Sequence, residues 1–132
     1  MLRLEIVTPE KRVIDAEVDS VTVPTASGEV GILPHHAPLV SALKPGVLSY
    51  AVKGSSERLA VSGGFVEVNN DKVAVLVDTA ETGSEIDPVA ARADQDASEK
   101  KVAVGTVTAD EARSVQELLD YAQARLQVAA DR

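Results

Sequence analysis

The residues whose types could do chemistry are two adjacent histidines, His35 and His36, in the segment of residues 28–39. Neighbouring imidazoles can bind a metal ion or act as a general base. The chain has no cysteine and no third histidine, which removes thiolate ligands and a cysteine nucleophile. No cluster of carboxylates adjoins the pair in the sequence. We therefore predict no metal site and no catalytic residue, and we expect the histidines to serve the structure or an interface.

A glycine pair, Gly63 and Gly64, is the other candidate, because glycines can cradle a phosphate. The pair lies between two apolar segments, and no Lys-Ser or Lys-Thr follows it. The pattern around it also indicates no change from strand to helix, so its expected role is a tight turn or a bulge. A Ser-His-Asp arrangement cannot be argued, since both histidines share one loop. We predict that the chain is not an enzyme.

Composition limits the class of protein. The 132 residues are 45% hydrophobic, enough for one core, or for one core and a small satellite unit. A net charge of −8 disfavours binding to nucleic acid and direct adsorption to anionic lipid. The first residues lack the pattern of a signal peptide, and no apolar run approaches the roughly 20 residues that span a bilayer. We expect a soluble intracellular protein that reaches a membrane only through protein partners.

Short segments with apolar residues at alternate positions predict strands before residue 80. They are residues 2–7, 18–23, 39–43, 47–52, 59–61, 65–68 and 73–77. Strands at this spacing, separated by Gly, Pro, Asn or Asp, favour an antiparallel β-sandwich or barrel. We place this domain at residues 1–84. In the segment 47–52, we expect Leu48, Tyr50 and Val52 to share one face.

The pattern becomes helical in residues 85–132, which we expect to form a second domain, a helical hairpin. Asp87 can accept backbone N–H groups as a helix cap, and Pro88 suits the first helical position. We expect the first helix over residues 89–101, followed by a connector at residues 102–107.

The second helix is expected over about residues 109–130, after a capping box formed by Thr108 and Glu111. Its apolar residues follow one narrow stripe. The stripe consists of Ala112, Val115, Leu119, Ala122, Leu126 and Ala129. The first helix offers Val89, Ala93 and Ala97 in return, a shallow surface that removes little apolar area from water. We therefore expect the hairpin to dock only marginally.

Three segments together resemble one protein family. Residues 28–39 hold two glycines, two prolines and a His-Ala-Pro step, which predict a tightly prescribed surface loop. Gly46-Val47-Leu48 and the run Val-Ser-Gly-Gly-Phe-Val-Glu-Val at residues 61–68 are the others. These segments resemble the epsilon subunit of bacterial and chloroplast F-type ATP synthases, the counterpart of mitochondrial delta. The similarity spans residues 2–87 and continues more loosely to the C-terminus.

The resemblance implies a function. Epsilon subunits are non-catalytic rotor components of the central stalk in a proton-translocating complex. They bind the gamma subunit and the c-ring, and they couple rotation to ATP synthesis. The implied location is peripheral, at the cytoplasmic face of a bacterial plasma membrane or the stromal side of a thylakoid.

The resemblance also implies contact residues. His36 matches the histidine before Ala-Pro on the face that packs against gamma, and Ser41 matches another position on that contact strand. Glu29 matches an acidic residue between two glycines on the loop that touches the c-ring. The alternative for Glu29 is an ordinary solvated turn residue.

A nucleotide site is the next implication, because some epsilon subunits bind ATP on the hairpin. Their motif is Ile/Leu-Asp-x-x-Arg-Ala at the start of the first helix, with two arginines four residues apart on the second. Ile86 and Asp87 match, but Ala90 stands at the arginine position. On the second helix Arg125 matches one arginine, while Tyr121 replaces the other. Phosphate recognition needs converging cations, so we expect no cofactor.

Regulation by the hairpin is the last implication, since in some relatives it reaches the alpha and beta subunits and blocks ATP hydrolysis. From residue 108 onward this chain has three arginines against five acidic residues, so charge attraction to an acidic target is weak. We expect any inhibition to be weak and to depend on the apolar stripe. Two alternative functions stay open: an ATP-sensing regulatory domain, and an unrelated ligand-binding β-sandwich.

Overall fold

The computed structural model describes residues 1–104 and 108–130. In these ranges, strands precede two helices, with one 3-10 turn (Gly83–Glu85) before the first helix. The strands are β1 (Leu2–Val7), β2 (Arg12–Val18), β3 (Ser20–Thr25), β4 (Gly28–Ile32), β5 (Leu39–Leu43), β6 (Gly46–Val52), β7 (Ser55–Val61), β8 (Gly64–Asn69), β9 (Lys72–Val77) and β10 (Ala80–Thr82). The helices are α1 (Pro88–Val104) and α2 (Ala109–Ala130). Neither helix, over its described residues, is long and apolar enough to cross a bilayer.

The strands form the sandwich that the alternating pattern predicts. Their order is β10-β7-β6-β3-β5-β8-β9-β1-β2, with β4 paired to β3 off this path. A single residue pair, Thr25 with Leu43, joins β3 to β5, so the path folds there into two layers. Strand β1 lies between β9 and its hairpin partner β2. It pairs with β9 in parallel and with β2 in antiparallel orientation.

Aliphatic side chains fill the space between the layers. Leu2, Leu4 and Ile6 of β1 are completely buried, and they alternate with outward residues because successive strand residues point to opposite faces. The predicted face of β6 is confirmed, since Leu48 is buried in this core while Tyr50 and Val52 pack against it.

Three strands escape the sequence pattern. Strand β2 carries charged residues on its outward face and is the last strand on its edge of the sheet, so little hydrophobic alternation marks it. Strand β10 has only three residues. Strand β4 occupies residues 28–32, which were expected to form a loop because they contain two glycines. The segment instead pairs with β3 along its whole length. Only residues 33–38 form the loop.

The expected tight turn or bulge at Gly63 and Gly64 is wrong. Gly64 begins β8 and pairs with Leu43 on one side and Val77 on the other, while β7 pairs with β6 and β10. The glycine is required by close approach: a Cβ atom at Gly64 would lie 2.0 Å from the backbone oxygen of Leu76.

Both helix starts are confirmed. Asp87 Oδ1 accepts the N–H groups of Val89 at 2.9 Å and Ala90 at 3.4 Å, and Thr108 Oγ1 accepts the N–H of Glu111 at 3.2 Å. Helix α1 runs to Val104, three residues beyond the expected end. Residues 105–107 of the expected connector lie outside the described residues.

The expected contact faces of the hairpin are only partly right. On α2, Val115, Leu119, Ala122 and Ala129 are buried as predicted, but Ala112 is exposed, and Ala124 and Val128 are buried as well. Over residues 88–101 of α1, the buried residues are Ala91 and Ser98, whereas Val89, Ala93 and Ala97 are exposed. The reason is that α2 packs against β6 and β7 as well as α1, so a single stripe does not describe its buried surface.

We predict that Gly64→Ala lowers the free energy of unfolding by about 3 kcal/mol, because the new methyl group forces the β8 and β9 backbones apart. The matched control is Gly31→Ala, where an added Cβ has no atom within 4 Å and the change should stay within about 0.5 kcal/mol. Urea unfolding followed by circular dichroism measures both. Equal stability of the two variants would contradict the close approach.

Candidate functional site

The loop between β4 and β5 is held in one shape by a turn. The N–H of His36 donates to the carbonyl oxygen of Leu33 at 3.1 Å, and His35 has φ of 68°. Proline at the second position and a positive φ at the third are the features of a type II turn. The N–H of His35 also donates to Asp71 Oδ1 at 2.6 Å, which fastens the loop to the β8–β9 turn.

The two histidines have separate partners. Nδ1 of His36 lies 2.7 Å from the carbonyl oxygen of Ala37, whereas Nδ1 of His35 lies 3.8 Å from Asp71 Oδ2 and its side chain is exposed. Among the described residues, no group of three or more His, Cys, Asp or Glu could hold a metal ion. The arrangement therefore favours a structural role for the loop.

An exposed apolar surface crosses the outer side of the layer that contains β5, β8, β9 and β1. We call it the outer apolar face; it consists of Val7, Val40, Ala42, Phe65 and Leu76. Pairing places Phe65 opposite both Ala42 and Leu76, and Leu76 opposite Val7. Val40 is 73% exposed, Phe65 59% and Leu76 52%.

Sequence reasoning missed this face. The sequence signal for this face is the uninterrupted apolar run Val75-Leu76-Val77. A strand with one solvated face normally has a polar residue at the middle position of such a run. The same run is expected of a strand buried on both faces, so it does not by itself reveal an exposed surface.

The two residues that match gamma-contact positions lie on β5 and in the loop before it, but neither belongs to the outer apolar face. His36 is half-buried in the loop before β5. Ser41 is half-buried, pairs with the buried Val66, and donates its Oγ–H to the carbonyl oxygen of Ala42 at 3.2 Å. Because residues alternate along β5, Ser41 points away from the side that carries Val40 and Ala42.

Glu29 lies on a different surface. It is an exposed residue of β4, opposite Pro24 of β3, and not a turn residue. It borders a cleft of about 340 Å³ between the sandwich and α2, where Lys44, Arg58 and Gln127 also line the wall. The structure therefore keeps Glu29 apart from the outer apolar face.

A polar cluster joins the hairpin to the sandwich. We call it the Arg125 cluster; its members are Glu81, Asp94, Tyr121 and Arg125. The Tyr121 hydroxyl donates to Glu81 Oε1 at 2.5 Å. Arg125 Nε lies 3.0 Å from the same oxygen, and Arg125 Nη1 lies 3.3 Å from Asp94 Oδ2. The guanidinium carbon is also 5.9 Å from the centre of the Tyr121 ring.

Burial, and next the hydrogen bond to Glu81, raise the pKa of Tyr121 above its ordinary value. The phenol consequently stays neutral throughout the physiological range and remains a donor to Glu81. Arg125 is the cation of the cluster and faces two carboxylates, so the cluster as a whole carries excess negative charge.

The residues that match the nucleotide motif all lie near this cluster, and each already has a structural role. Ile86 is buried with Ala91 and Val128, and Asp87 caps α1. Arg125 is only 15% exposed and is shared by Glu81 and Asp94. A phosphate group would have to displace those carboxylates to reach the guanidinium.

Comparison with known families agrees with the sandwich. Residues 1–83 match the family model described as ATP synthase, Delta/Epsilon chain, beta-sandwich domain. The match covers the strands β1 to β10 and ends before α1.

Individual relatives extend the similarity. The ATP synthase epsilon chain of Carboxydothermus hydrogenoformans is 52% identical over 86 residues, which are 65% of this chain and 64% of that protein. The chain thus spans slightly less than two thirds of this relative. The epsilon chain of Nitratidesulfovibrio vulgaris is 44% identical over 127 residues, 96% of this chain and 94% of that protein.

Solved structures agree with the fold. One chain of a Euglena gracilis mitochondrial ATP synthase structure superposes with a TM-score of 0.80 at 23% identity. The superposition covers 98% of this chain and 81% of that one. Sandwich and hairpin therefore occur together in a solved structure.

We predict that the chain shows no saturable ATP binding, because its matching arginine is already paired and the second arginine is replaced by Tyr121. Titration with millimolar ATP, followed by amide NMR shifts along α1 and α2, measures this. A double variant, Ala90→Arg with Tyr121→Arg, supplies the two missing cations and should respond more strongly. Saturable binding of equal affinity by the unaltered chain and the variant would contradict the prediction.

Proposed function

The chain belongs to the family of ATP synthase delta/epsilon chains, and from this premise we propose that it is a non-catalytic subunit of the central stalk of an F-type ATP synthase. It binds the gamma subunit and the c-ring, and it transmits rotation to catalytic sites on other subunits. It is a peripheral component of a proton-translocating complex at the cytoplasmic face of the membrane.

The outer apolar face is the observation that carries this proposal. Val40, Phe65 and Leu76 are each more than half exposed. Phe65 lies opposite Leu76 and Ala42 across paired strands, and Val40 lies two residues before Ala42 on β5, opposite Glu67. A contiguous exposed apolar patch marks a site of protein contact. The expected gamma surface begins at His36 and continues across this face, so it is broader than the two positions that the family motif indicates.

The core beneath this face supports a mechanical role. Strands β8 and β9 bury Val66, Val68, Val73 and Val75 completely or nearly so, directly behind the outer apolar face. A close-packed interior deforms little under load. Rotation of a partner bound to the outer apolar face would therefore turn the sandwich with it as a rigid body.

Contact with the c-ring is assigned to the β3–β4 hairpin. Glu29 is exposed there, directly after the turn at Gly28, whose φ of 122° favours glycine. Within the described part of the chain, β4 pairs with β3 alone, which leaves the other edge of β4 open there. An exposed acid at an open edge is suited to a polar contact with loops of the ring.

The hairpin has a regulatory role in this proposal, and a modest one. An opened hairpin reaches the alpha and beta subunits and restrains ATP hydrolysis weakly. Support comes from the composition of α2, whose charged residues are predominantly acidic, since an acidic helix gains little from an acidic target.

We predict that Val40→Asp weakens gamma binding by at least about tenfold, because a carboxylate would be desolvated within the contact. The matched control is Ser56→Asp, an exposed position on β7 that lies in the opposite layer. Isothermal calorimetry with purified gamma measures affinity, and thermal unfolding confirms that both variants fold. Unchanged affinity of Val40→Asp would remove the outer apolar face as the gamma surface.

For the ring contact, we predict that Glu29→Lys reduces retention of the stalk on detergent-solubilised c-ring while leaving gamma affinity unchanged. The charge reversal changes the exposed side of β4 and the adjoining cleft, and it leaves the outer apolar face unaltered. The control is Glu57→Lys, another exposed acid on a strand. If both variants remain on the ring equally well, Glu29 is a solvated surface residue.

A further inference from the structure

We propose that the Arg125 cluster is a nucleotide-independent latch that holds the helical hairpin closed against the sandwich. Its four side chains come from three elements: Glu81 from β10, Asp94 from α1, and Tyr121 and Arg125 from α2. One guanidinium therefore ties both helices to the last strand of the sandwich.

The buried apolar contact between hairpin and sandwich is made mostly of small side chains, and Val47, Tyr121 and Leu126 pack against it while only partly buried. The cluster of buried residues at this junction contains four alanines and only two larger side chains. Its members are Ala60, Ile86, Ala91, Ala124, Val128 and Ala129. Alanine removes little apolar area from water, so polar contacts at the same junction decide how often the hairpin opens.

The ion pair in the cluster is better placed than an ordinary surface pair. Arg125 is 15% exposed and Glu81 25% exposed, so solvent and salt screen their attraction less than at an open surface. Tyr121 fixes the Glu81 carboxylate by donating its hydroxyl to the oxygen that Arg125 Nε also contacts. Asp94 is 67% exposed and is therefore the weaker partner.

The same contacts disfavour a nucleotide as the closing agent. Arg125 already has two carboxylate partners, and a bound triphosphate would add negative charge beside Glu81 and Asp94. Closure by the chain's own ion pairs and closure by ATP therefore compete for one guanidinium. The latch is a statement about the conformation of this chain alone. Only the expected effect of hairpin opening on ATP hydrolysis by the complex rests on the proposed function.

The test measures hairpin opening in the full chain. Because the chain has no cysteine, Ser56→Cys on β7 and Gln123→Cys on α2, both at exposed positions, give a unique pair for spin labels. Pulsed electron paramagnetic resonance then reports the distance between sandwich and hairpin. We expect one closed population that ATP does not change.

The decisive variant is Arg125→Gln, which removes the shared cation. It should increase the ratio of open to closed hairpin roughly tenfold. Arg113→Gln is the matched control, since Arg113 is an exposed arginine of the same helix outside the cluster, and it should leave the ratio unchanged. Amide NMR of β1 and β9 verifies that the sandwich remains folded in each variant.

A charge exchange separates a latch from mere packing. Glu81→Arg combined with Arg125→Glu restores an opposite pair, and it should return most of the closed population that either single change removes. An unchanged distance in Arg125→Gln, equal opening in Arg113→Gln, or closure that depends on ATP would each overturn the proposal. Gamma affinity measured on the same variants tests the proposed function separately, because the outer apolar face does not include these residues.

Discussion

Burial of aliphatic side chains between the two sheet layers is the interaction on which the rest of the structure depends. Successive strand residues point to opposite faces, so the two neighbours of each core residue have side chains that point outward. On β9, burial of Val73, Val75 and Val77 obliges Leu76 to face solvent. The outer apolar face is therefore a consequence of the core register, and a change of register by one residue would destroy both.

The two layers differ in what covers their outer sides. On the layer of β6 and β7, Leu48 and Leu59 point into the core, while the paired residues Val47 and Ala60 point outward to the helices. The hairpin thus covers one layer with the chain's own residues. The other layer leaves Val40 and Phe65 uncovered, and a partner subunit is what the proposed function supplies there. The sandwich is in this sense an adaptor with one internal and one external contact surface.

Local patterns predicted those features whose cause is local. The alternation on β6 and the capping of α1 by Asp87 depend on neighbouring residues, and both are confirmed. Strand β4 and the buried face of α1 depend on tertiary contacts, so local patterns failed there. The glycines of β4 suggested a turn, and the apolar Val89 was expected to face α2. The candidate site shows the same division. Glu81 and Arg125 are 44 residues apart, and no spacing rule connects them.

The proposed latch gives a physical reason why two substitutions relative to the nucleotide motif belong together. An arginine at residue 121 would add a second cation beside Arg125, and the two would need an anion between them. Tyrosine at this position instead donates a hydrogen bond from its hydroxyl to Glu81 Oε1, and the same oxygen lies 3.0 Å from Arg125 Nε. Loss of the arginine at residue 90 then removes a cation that the closed state no longer requires. In the proposed latch, the charge of Arg125 is paired within the chain by Glu81 and Asp94, so closure does not require a bound triphosphate.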